Sequence, residues 1–413
     1  MFGDVPLILV QDPAALGEAV EAMRPQAVLA VDLEADSFHH YRERICLLQV
    51  SIPGADFVID PLAIPDISSF LALLEEPDRV KVLHGADYDV VSLKRDYGVQ
   101  IRGLFDTMIA AQFLGVQRFG LADLLLANFD VTIDKALQRH DWAQRPLLPA
   151  HLHYARGDTH WLLALREVML YRLRRAGWEH AVHQECQQLE LREWHGRTPD
   201  PADYLRIKGA TDLDEGGRRV LRALYAYREE QARQMDRPVF KVIPDPVLAA
   251  IARHQPASVE DLGRLVRKSS ALMRQHGAAL VRAVAHGLED ASPLPRREAP
   301  ARNPRLGGGA APARAVELLK SWRQRQAERD GLAASLIASN NVIREVARAM
   351  PQTRDQLEAL PDLRLWQAER YGEALLEVVS QAREESQPKG RGKRRRQRPH
   401  QHRSTATEAP GPK

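Results

Sequence analysis

The chain has few cysteines and no long hydrophobic segment. Its 413 residues include two cysteines, Cys46 and Cys186, which lie far apart and form no metal-ligand spacing. A disulfide framework is therefore not expected, and a reducing cytoplasm is the predicted compartment. No apolar run reaches the ~18 residues that indicate a membrane-spanning helix. The N-terminal segment lacks the basic and small-residue pattern of a signal peptide.

Charge is nearly balanced over the whole chain but unevenly distributed along it. The formal net charge is +3, whereas residues 389–398 (KGRGKRRRQR) form a basic run. A run of this composition cannot bury a core, so we expect residues 386–413 to form a disordered basic tail. Clustered cations release counterions from nucleic acid, which favours a phosphate-binding tail. A solvated tail that improves solubility fits the composition equally well.

The first half of the chain alternates strand-like and helical segments. Short β-rich runs occur at residues 28–31, 45–50, 57–59 and 80–83, each bounded by proline, glycine or aspartate. Helical patterns occur at residues 67–74, 88–96 and 107–114. This alternation predicts an α/β domain over residues 1–200, with a central sheet flanked by helices.

From about residue 203 onward the sequence is helical and repeats itself. A constant offset pairs Ile251 with Val346, Pro256 with Pro351 and Gly277 with Gly372. A gapless register of this kind indicates two copies of one small helical unit. We therefore predict helical domains over residues 212–290 and 312–382, joined by a proline- and glycine-rich linker over residues 291–311.

Two carboxylates, Asp32 and Glu34, end the first predicted strand of the α/β domain. Residues i and i+2 of a strand point to the same face, so both side chains converge on one side. Buried like charges repel each other, and they stay ionised only when a cation neutralises them. A hard, oxygen-rich site of this kind suits Mg²⁺ or Mn²⁺.

Two further acidic segments fit the same chemistry. Asp87 and Asp89 follow the strand at residues 80–83, at the edge of an α/β sheet where ligands bind. Tyr154 and Asp158 are four residues apart, which places them on one face of a helix. Such carboxylates could hold two metal ions about 3.5–4 Å apart for an in-line attack on a phosphodiester. No GxxxxGK[ST] phosphate loop occurs, so nucleotide-driven chemistry is not favoured.

Together these segments resemble the three exonuclease motifs of the DEDD superfamily. The motifs are residues 32–38 (DLEADSF) with 46–51 (CLLQVS), residues 84–89 (HGADYD), and residues 154–160 (YARGDTH) in the Tyr-x-x-x-Asp form. The combination is similar to ribonuclease D and to the exonuclease subunit of the nuclear RNA exosome, and each helical copy resembles the HRDC module. The resemblance implies a ribonuclease H-like 3′-5′ exonuclease domain with a mixed central sheet, followed by two all-α HRDC domains.

The same resemblance implies roles for the motif residues. Asp32, Glu34, Asp89 and Asp158 would hold the metal ions, and Tyr154 would orient or deprotonate the attacking water. A sibling class of DEDD exonucleases places a histidine five residues before the last aspartate, and His153 satisfies that pattern as well. The wider match favours Tyr154.

Five other residues are candidate substrate contacts. Lys135, Gln138 and Arg145 could contact backbone phosphates, although an exposed polar loop explains them equally well. Trp142 could stack on a base, because an aromatic face accepts any base. His84 stands at the start of the second motif, where it could contact substrate or shape the turn before Asp89.

The function that the resemblance implies is a 3′-to-5′ exoribonuclease that uses two divalent metal ions, Mg²⁺ or Mn²⁺, and releases nucleoside 5′-monophosphates. The expected substrates are tRNA precursors or other structured RNA 3′ ends, with no membrane involved. Two alternatives stay open at this point. The first is a DNA exonuclease, because HRDC modules also accompany DNA helicases. The second is a nucleic-acid-binding scaffold with an inactive nuclease fold, which the presence of all four carboxylates argues against.

Overall fold

A computed structural model describes residues 5–194, 200, 202–266, 270–295 and 309–387 of the chain. The basic run at residues 389–398 and most of the predicted linker lie outside these residues. Both therefore remain predictions from the sequence.

Within the described residues, a six-stranded mixed sheet forms the centre of the N-terminal domain. The strands are β1 (Leu7–Val10), β2 (Val28–Ala35), β3 (Ile45–Ile52), β4 (Ala55–Ile59), β5 (Val80–Leu83) and β6 (Leu104–Asp106). Their spatial order is β1-β4-β3-β2-β5-β6. β3 pairs antiparallel with β2 and β4, and the other neighbours are parallel. The predicted mixed sheet is confirmed, and β1 and β6 are edge strands that the sequence analysis did not predict.

Helices pack against this sheet. They are α1 (Pro13–Met23), α2 (Ser68–Glu75), α3 (Asp87–Tyr97), α4 (Thr107–Phe113), α5 (Leu121–Phe129), α6 (Pro149–Gly157), α7 (Leu162–Ala176) and α8 (Glu179–Glu190). β3 is buried along its whole length, as expected for an apolar run in the interior of a sheet. The helices predicted at residues 67–74, 88–96 and 107–114 correspond to α2, α3 and α4.

The ends of α3 show how local sequence places a helix beside the sheet. Asp87 and Asp89 lie in its first turn, and Lys94 and Arg95 lie in its last turn. This charge order matches the helix dipole. The helix then stops at Gly98, whose φ of 69° is left-handed and suits a residue without a Cβ atom.

The C-terminal half contains the predicted repeat. The first copy consists of α9 (Glu215–Gln234), α10 (Val239–Val242), α11 (Asp245–His254), α12 (Val259–Leu265) and α13 (Ser270–Glu289). The second copy consists of α14 (Ala310–Asp330), α15 (Ala334–Ile337), α16 (Asn340–Ala349), α17 (Arg354–Glu358) and α18 (Leu365–Ser386). Each helix of the second copy begins at the same offset, 95 residues after its counterpart, as from Glu215 to Ala310. The repeat is therefore confirmed helix by helix.

The two copies pack differently against the N-terminal domain. The second copy shares one continuous hydrophobic core with it. Phe113 of α4 contacts Trp366 of α18 at 5.2 Å between ring centroids, and Trp366 Nε1 donates to Glu185 of α8 at 2.8 Å. The first copy has a core of its own. It meets the loop after β2, where the Tyr41 hydroxyl donates to Glu229 at 3.0 Å.

Of the helices in the described part of the chain, none has the length and apolar content needed to cross a bilayer.

Candidate active site

Asp32 and Glu34 lie on β2, one of the interior strands of the sheet. Asp32 stands opposite Gln49 of β3, and Glu34 stands opposite Leu47. The regular pairing of these strands is interrupted between Glu34 and Ala35. Both carboxylates are half-buried. Because they are two residues apart on a regular strand, they share one face of the sheet, as the spacing predicted.

Asp89 comes from the first turn of α3 and is 7% exposed. The neighbouring acid of the same motif, Asp87, is exposed and forms an ion pair with Arg192 at 3.0 Å. The structure therefore separates the two acids of the second motif, and only Asp89 is buried. Asp89 also adds to the negative charge that Asp32 experiences.

The loop before Asp89 is held by Asp106 at the end of β6. The Asp106 carboxylate accepts the N–H of Gly85 at 3.0 Å and that of Ala86 at 2.8 Å. It also caps α4 by accepting the N–H of Met108 at 2.7 Å. One buried carboxylate thus fixes both the start of α4 and the loop that leads to Asp89.

Tyr154 and Asp158 come from α6 and its C-terminal end. The helix ends at Gly157, but Asp158 keeps helical backbone angles (φ −81°, ψ −18°). The four-residue spacing therefore keeps both side chains on one side. One carboxylate oxygen each from Asp32, Glu34 and Asp158 lie within 4.8 Å of one another. That distance is close to the span of two metal–oxygen bonds of about 2.1 Å each.

The position of Tyr154 separates it from its neighbour His153. His153 is exposed, whereas Tyr154 is half-buried. Burial raises the pKa of Tyr154 above its ordinary value, and the charges of Asp158, Glu34 and Asp32 raise it further. The charges of the acidic cluster therefore act on the phenol of Tyr154, as the resemblance to the tyrosine class of exonucleases predicted.

Burial is the main cause that raises the pKa of all four carboxyl groups. It raises the pKa of Asp89 and Asp158 to about 7 and that of Glu34 to about 9. The pKa of Asp32 is also raised well above its ordinary value, by burial and then by the charges of Asp158, Asp89 and Glu34. No cationic side chain among the described residues lowers any of these values. Desolvated carboxylates whose charges no neighbouring cation offsets fit hard divalent cations.

Trp142 does not present the face that base stacking needs. Its side chain is 1% exposed and belongs to a small core cluster with Val58 and Ala155. Its ring packs against Tyr154 at 5.7 Å and against His140 at 5.2 Å between centroids. Burial against these partners overrides the predicted stacking role, and Trp142 instead supports the Tyr154 ring.

Arg145 is also taken up by contacts within the protein. Its guanidinium forms a bidentate pair with Asp60 at 2.6 and 2.7 Å. Its other N–H groups donate to the carbonyls of Trp142, Gln144 and Cys46 at 2.8, 2.8 and 3.0 Å. A guanidinium has five N–H donors, and all five are used here. The predicted phosphate contact therefore has no donor left on this side chain.

The other predicted substrate contacts are placed differently from one another. Lys135 and Gln138 are exposed in the segment between α5 and α6, so their contact with substrate stays a prediction. His84 is half-buried, and its Nδ1 lies 2.9 Å from the Thr107 hydroxyl. That hydroxyl donates to the Leu83 carbonyl at 3.0 Å, so it accepts the proton of His84 Nδ1. His84 thus braces the turn after β5.

One polar residue beside the cluster was not predicted from the sequence. Gln49 is fully buried and stands opposite Asp32 on β3. Neither atom of its amide has a hydrogen-bond partner among the described residues. The sequence did contain a signal that could have identified Gln49, because it is a lone polar residue inside the apolar run at residues 45–50.

Comparison with known proteins assigns this arrangement to a class. A family model described as a 3′-5′ exonuclease matches residues 7–174, and a model of the HRDC domain matches residues 217–284 and 313–379. The fold and the acidic cluster thus define a 3′-5′ exonuclease domain followed by two HRDC domains. The two HRDC matches fall inside the predicted helical domains, whose outer boundaries stay a prediction.

Individual relatives narrow the assignment. Ribonuclease D of Pseudomonas paraeruginosa is 32% identical over 388 residues, which cover 92% of this chain and all (100%) of that protein. The crystal structure of Escherichia coli RNase D, described as an exoribonuclease involved in structured RNA processing, matches with a TM-score of 0.65 at 26% identity over 91% of this chain and 99% of that chain. The catalytic core of RRP6 from Trypanosoma brucei matches with a TM-score of 0.62 at 29% identity, over 70% and 81% of the two chains.

The chain belongs to the ribonuclease D family and is a hydrolytic 3′-5′ exoribonuclease. The acidic cluster fits the divalent metal ions that this family of exonucleases uses.

Proposed function

We propose that Asp32, Glu34, Asp89 and Asp158 hold two Mg²⁺ or Mn²⁺ ions, and that RNA is hydrolysed there from its 3′ end with release of nucleoside 5′-monophosphates. The observation that carries the proposal is the convergence of carboxylate oxygens of Asp32, Glu34 and Asp158 within 4.8 Å. The charge of Asp89 adds to this cluster by raising the pKa of Asp32 and Glu34, and the pKa of all four carboxyl groups is raised. When bound, divalent cations lower the pKa of an attacking water and stabilise the leaving oxygen.

Tyr154 positions the attacking water in this proposal. Its raised pKa keeps the phenol protonated at neutral pH, so it is a poor general base. Its hydroxyl orients the attacking water by a hydrogen bond, from the same side of α6 that presents Asp158. Trp142, packed behind the ring at 5.7 Å, limits the orientations that Tyr154 can adopt.

The proposed substrates are structured RNA 3′ ends, including tRNA precursors, processed in the cytoplasm. Support comes from Escherichia coli RNase D, whose structure is described as that of an exoribonuclease involved in structured RNA processing. Lys135 and Gln138, exposed between α5 and α6, are the proposed phosphate contacts.

The test is digestion of 5′-labelled single-stranded RNA and of matched DNA with Mg²⁺ or Mn²⁺. We expect a ladder that shortens from the 3′ end of the RNA, with nucleoside 5′-monophosphates as the products by chromatography. EDTA and the Asp89→Ala substitution should both abolish the ladder.

The matched control is Asp87→Ala, which removes the exposed acid of the same motif. This variant should trim RNA at the wild-type rate, because Asp87 lies outside the cluster. Equal loss of activity in both variants would contradict the assignment of Asp89. Faster trimming of DNA than of RNA would contradict the proposed substrate.

A further inference from the structure

Asp56 is a buried carboxylate in β4, about one hundred residues before the third exonuclease motif. It is 2% exposed and has three side-chain partners. Its carboxylate accepts hydrogen bonds from Ser51 Oγ at 2.6 Å, from Arg156 Nε at 2.5 Å and from His160 Nδ1 at 2.7 Å. This carboxylate therefore holds side chains from two distant segments.

The partners of Asp56 bracket Asp158. Arg156 precedes Asp158 by two residues, and His160 follows it by two. Ser51 adds a third link, because its oxygen lies 2.8 Å from the Thr159 hydroxyl. A carboxylate can only accept, so Ser51 uses its one proton for Asp56 and accepts the proton of Thr159. Three of the four nearest neighbours of Asp158 along the chain are thus tied, directly or through Ser51, to one carboxylate.

This set of contacts matters because α6 ends just before Asp158. The helix runs only to Gly157, and the Asp158 N–H reaches the Ala155 carbonyl at a long 3.3 Å. Helical hydrogen bonding alone therefore fixes the position of Asp158 loosely. Arg156 also donates to the carbonyl of Val5 at 2.7 Å, which ties the same turn to the chain before β1.

The sheet register connects Asp56 with the rest of the metal cluster. Asp56 stands opposite Ser51 in the β3–β4 pair, and Ser51 stands opposite Ala30 in the β2–β3 pair. Asp32 and Glu34 follow Ala30 at intervals of two residues on the same strand. All of these residues therefore lie on one face of the sheet, the face against which the end of α6 is held.

Asp56 keeps its negative charge in this environment. Burial by itself would raise the pKa of its carboxyl group, but the hydrogen bonds from His160 and Ser51, with the charges of His160 and Arg156, outweigh that effect and lower the pKa. Replacement by asparagine would remove the charge and one acceptor. It would also set an N–H₂ group against donors of Ser51, Arg156 or His160.

We propose that Asp56 is a positioning residue for the metal site, which holds Asp158 at the distance from Asp32 and Glu34 that a divalent cation requires. This inference rests on the proposed metal site. It assigns Asp56 no contact with substrate or metal, and its effect on activity passes through Asp158 alone.

The test is calorimetric titration of the full chain with Mn²⁺, together with the melting temperature of each variant. Asp56→Asn should bind Mn²⁺ about 10- to 100-fold more weakly than the wild type, the range for residues that orient metal ligands. RNA trimming by this variant should recover as Mn²⁺ is raised. Ser51→Ala, which removes only one of the links, should weaken binding to a smaller extent.

Two reference variants complete the experiment. Asp12→Ala removes the N-cap of α1, where Asp12 accepts the N–H of Ala15 at 2.9 Å, and should lower the melting temperature without changing Mn²⁺ affinity. Asp32→Ala should abolish binding. Wild-type Mn²⁺ affinity in folded Asp56→Asn would overturn the positioning role while leaving the proposed function intact. If Asp56→Asn does not fold, unchanged affinity in Ser51→Ala would overturn it. Absence of Mn²⁺ binding by the wild type would overturn both proposals.

Discussion

Replacing Asp89 with asparagine should stabilise the metal-free protein at alkaline pH. Burial raises the pKa of Asp89 to about 7, from an ordinary value of 3.8. The folded state therefore binds a proton that the unfolded state has already released between about pH 4 and pH 7. Stability due to this group falls as pH rises through that window, and the loss is complete above about pH 7.

The size of the expected stabilisation follows from the pKa shift of Asp89. A difference of about 3 pKa units corresponds to a ceiling of about 4 kcal/mol at pH 8, at ~1.4 kcal/mol per unit. The carboxyl groups of the cluster share the cost of burial and repulsion, so we expect the Asp89→Asn variant to gain about 2 kcal/mol. For a domain of this size, that gain raises the melting temperature by about 6 °C.

Thermal unfolding in EDTA at pH 5 and pH 8 measures this effect. The variant should melt above the wild type at both pH values. The difference between their melting temperatures at pH 5 should be less than half of the difference at pH 8. Added Mn²⁺ should reverse the order, because ligand binding stabilises the wild type more. Asp87→Asn, at the exposed position, should behave like the wild type in EDTA. A metal-free Asp89→Asn variant that melts at or below the wild-type temperature at pH 8 would show that the ionised Asp89 carboxylate does not destabilise the folded protein.

Three other substitutions and deletions have defined outcomes. Tyr154→Phe should lower turnover on RNA about 100-fold with unchanged Mn²⁺ affinity. The control variant His153→Ala should turn over RNA at close to the wild-type rate. Equal losses of turnover in a steady-state assay would contradict the assignment of the water-positioning role to Tyr154. Trp142→Ala should lower the free energy of unfolding by about 3–5 kcal/mol in chemical denaturation, because the side chain is 1% exposed. A variant of unchanged stability and raised KM would instead indicate base stacking. Deleting residues 386–413 should weaken RNA binding at low salt and flatten its salt dependence, with turnover at saturation unchanged. An identical salt slope would contradict a role of the tail in binding.

The fold was predictable wherever the pattern was local. Period and turn residues indicated β2 to β5 and α2 to α4, and the repeat offset predicted two copies of one helical unit without giving the bounds of their helices. β1 and β6 were missed because they are edge strands of four and three residues. β1 pairs with β4, some fifty residues away, and no local pattern carries that information. The hydrophobic core that the second copy shares with the N-terminal domain was missed for the same reason, because it depends on packing between residues distant in sequence.

The residues of the candidate site likewise fall into two groups, those that local spacing predicts and those whose role depends on contacts distant in sequence. The spacing of Asp32 with Glu34 and of Tyr154 with Asp158 follows from strand and helix periods, and the structure brings these residues together. Trp142 and Arg145 could not be assigned from spacing. A tryptophan or arginine in a loop fits substrate contact equally well until its partners are known, and Asp60, the partner of Arg145, lies 85 residues away in the sequence.

The most direct test of the account is a crystal structure of the full chain with Mn²⁺ and a short RNA, recorded at a wavelength where manganese scatters anomalously. We expect two anomalous peaks about 4 Å apart among Asp32, Glu34, Asp89 and Asp158, with the 3′-terminal phosphodiester beside them. Anomalous peaks elsewhere in the molecule, or an RNA 3′ end bound away from these four carboxylates, would contradict the proposed metal and substrate site.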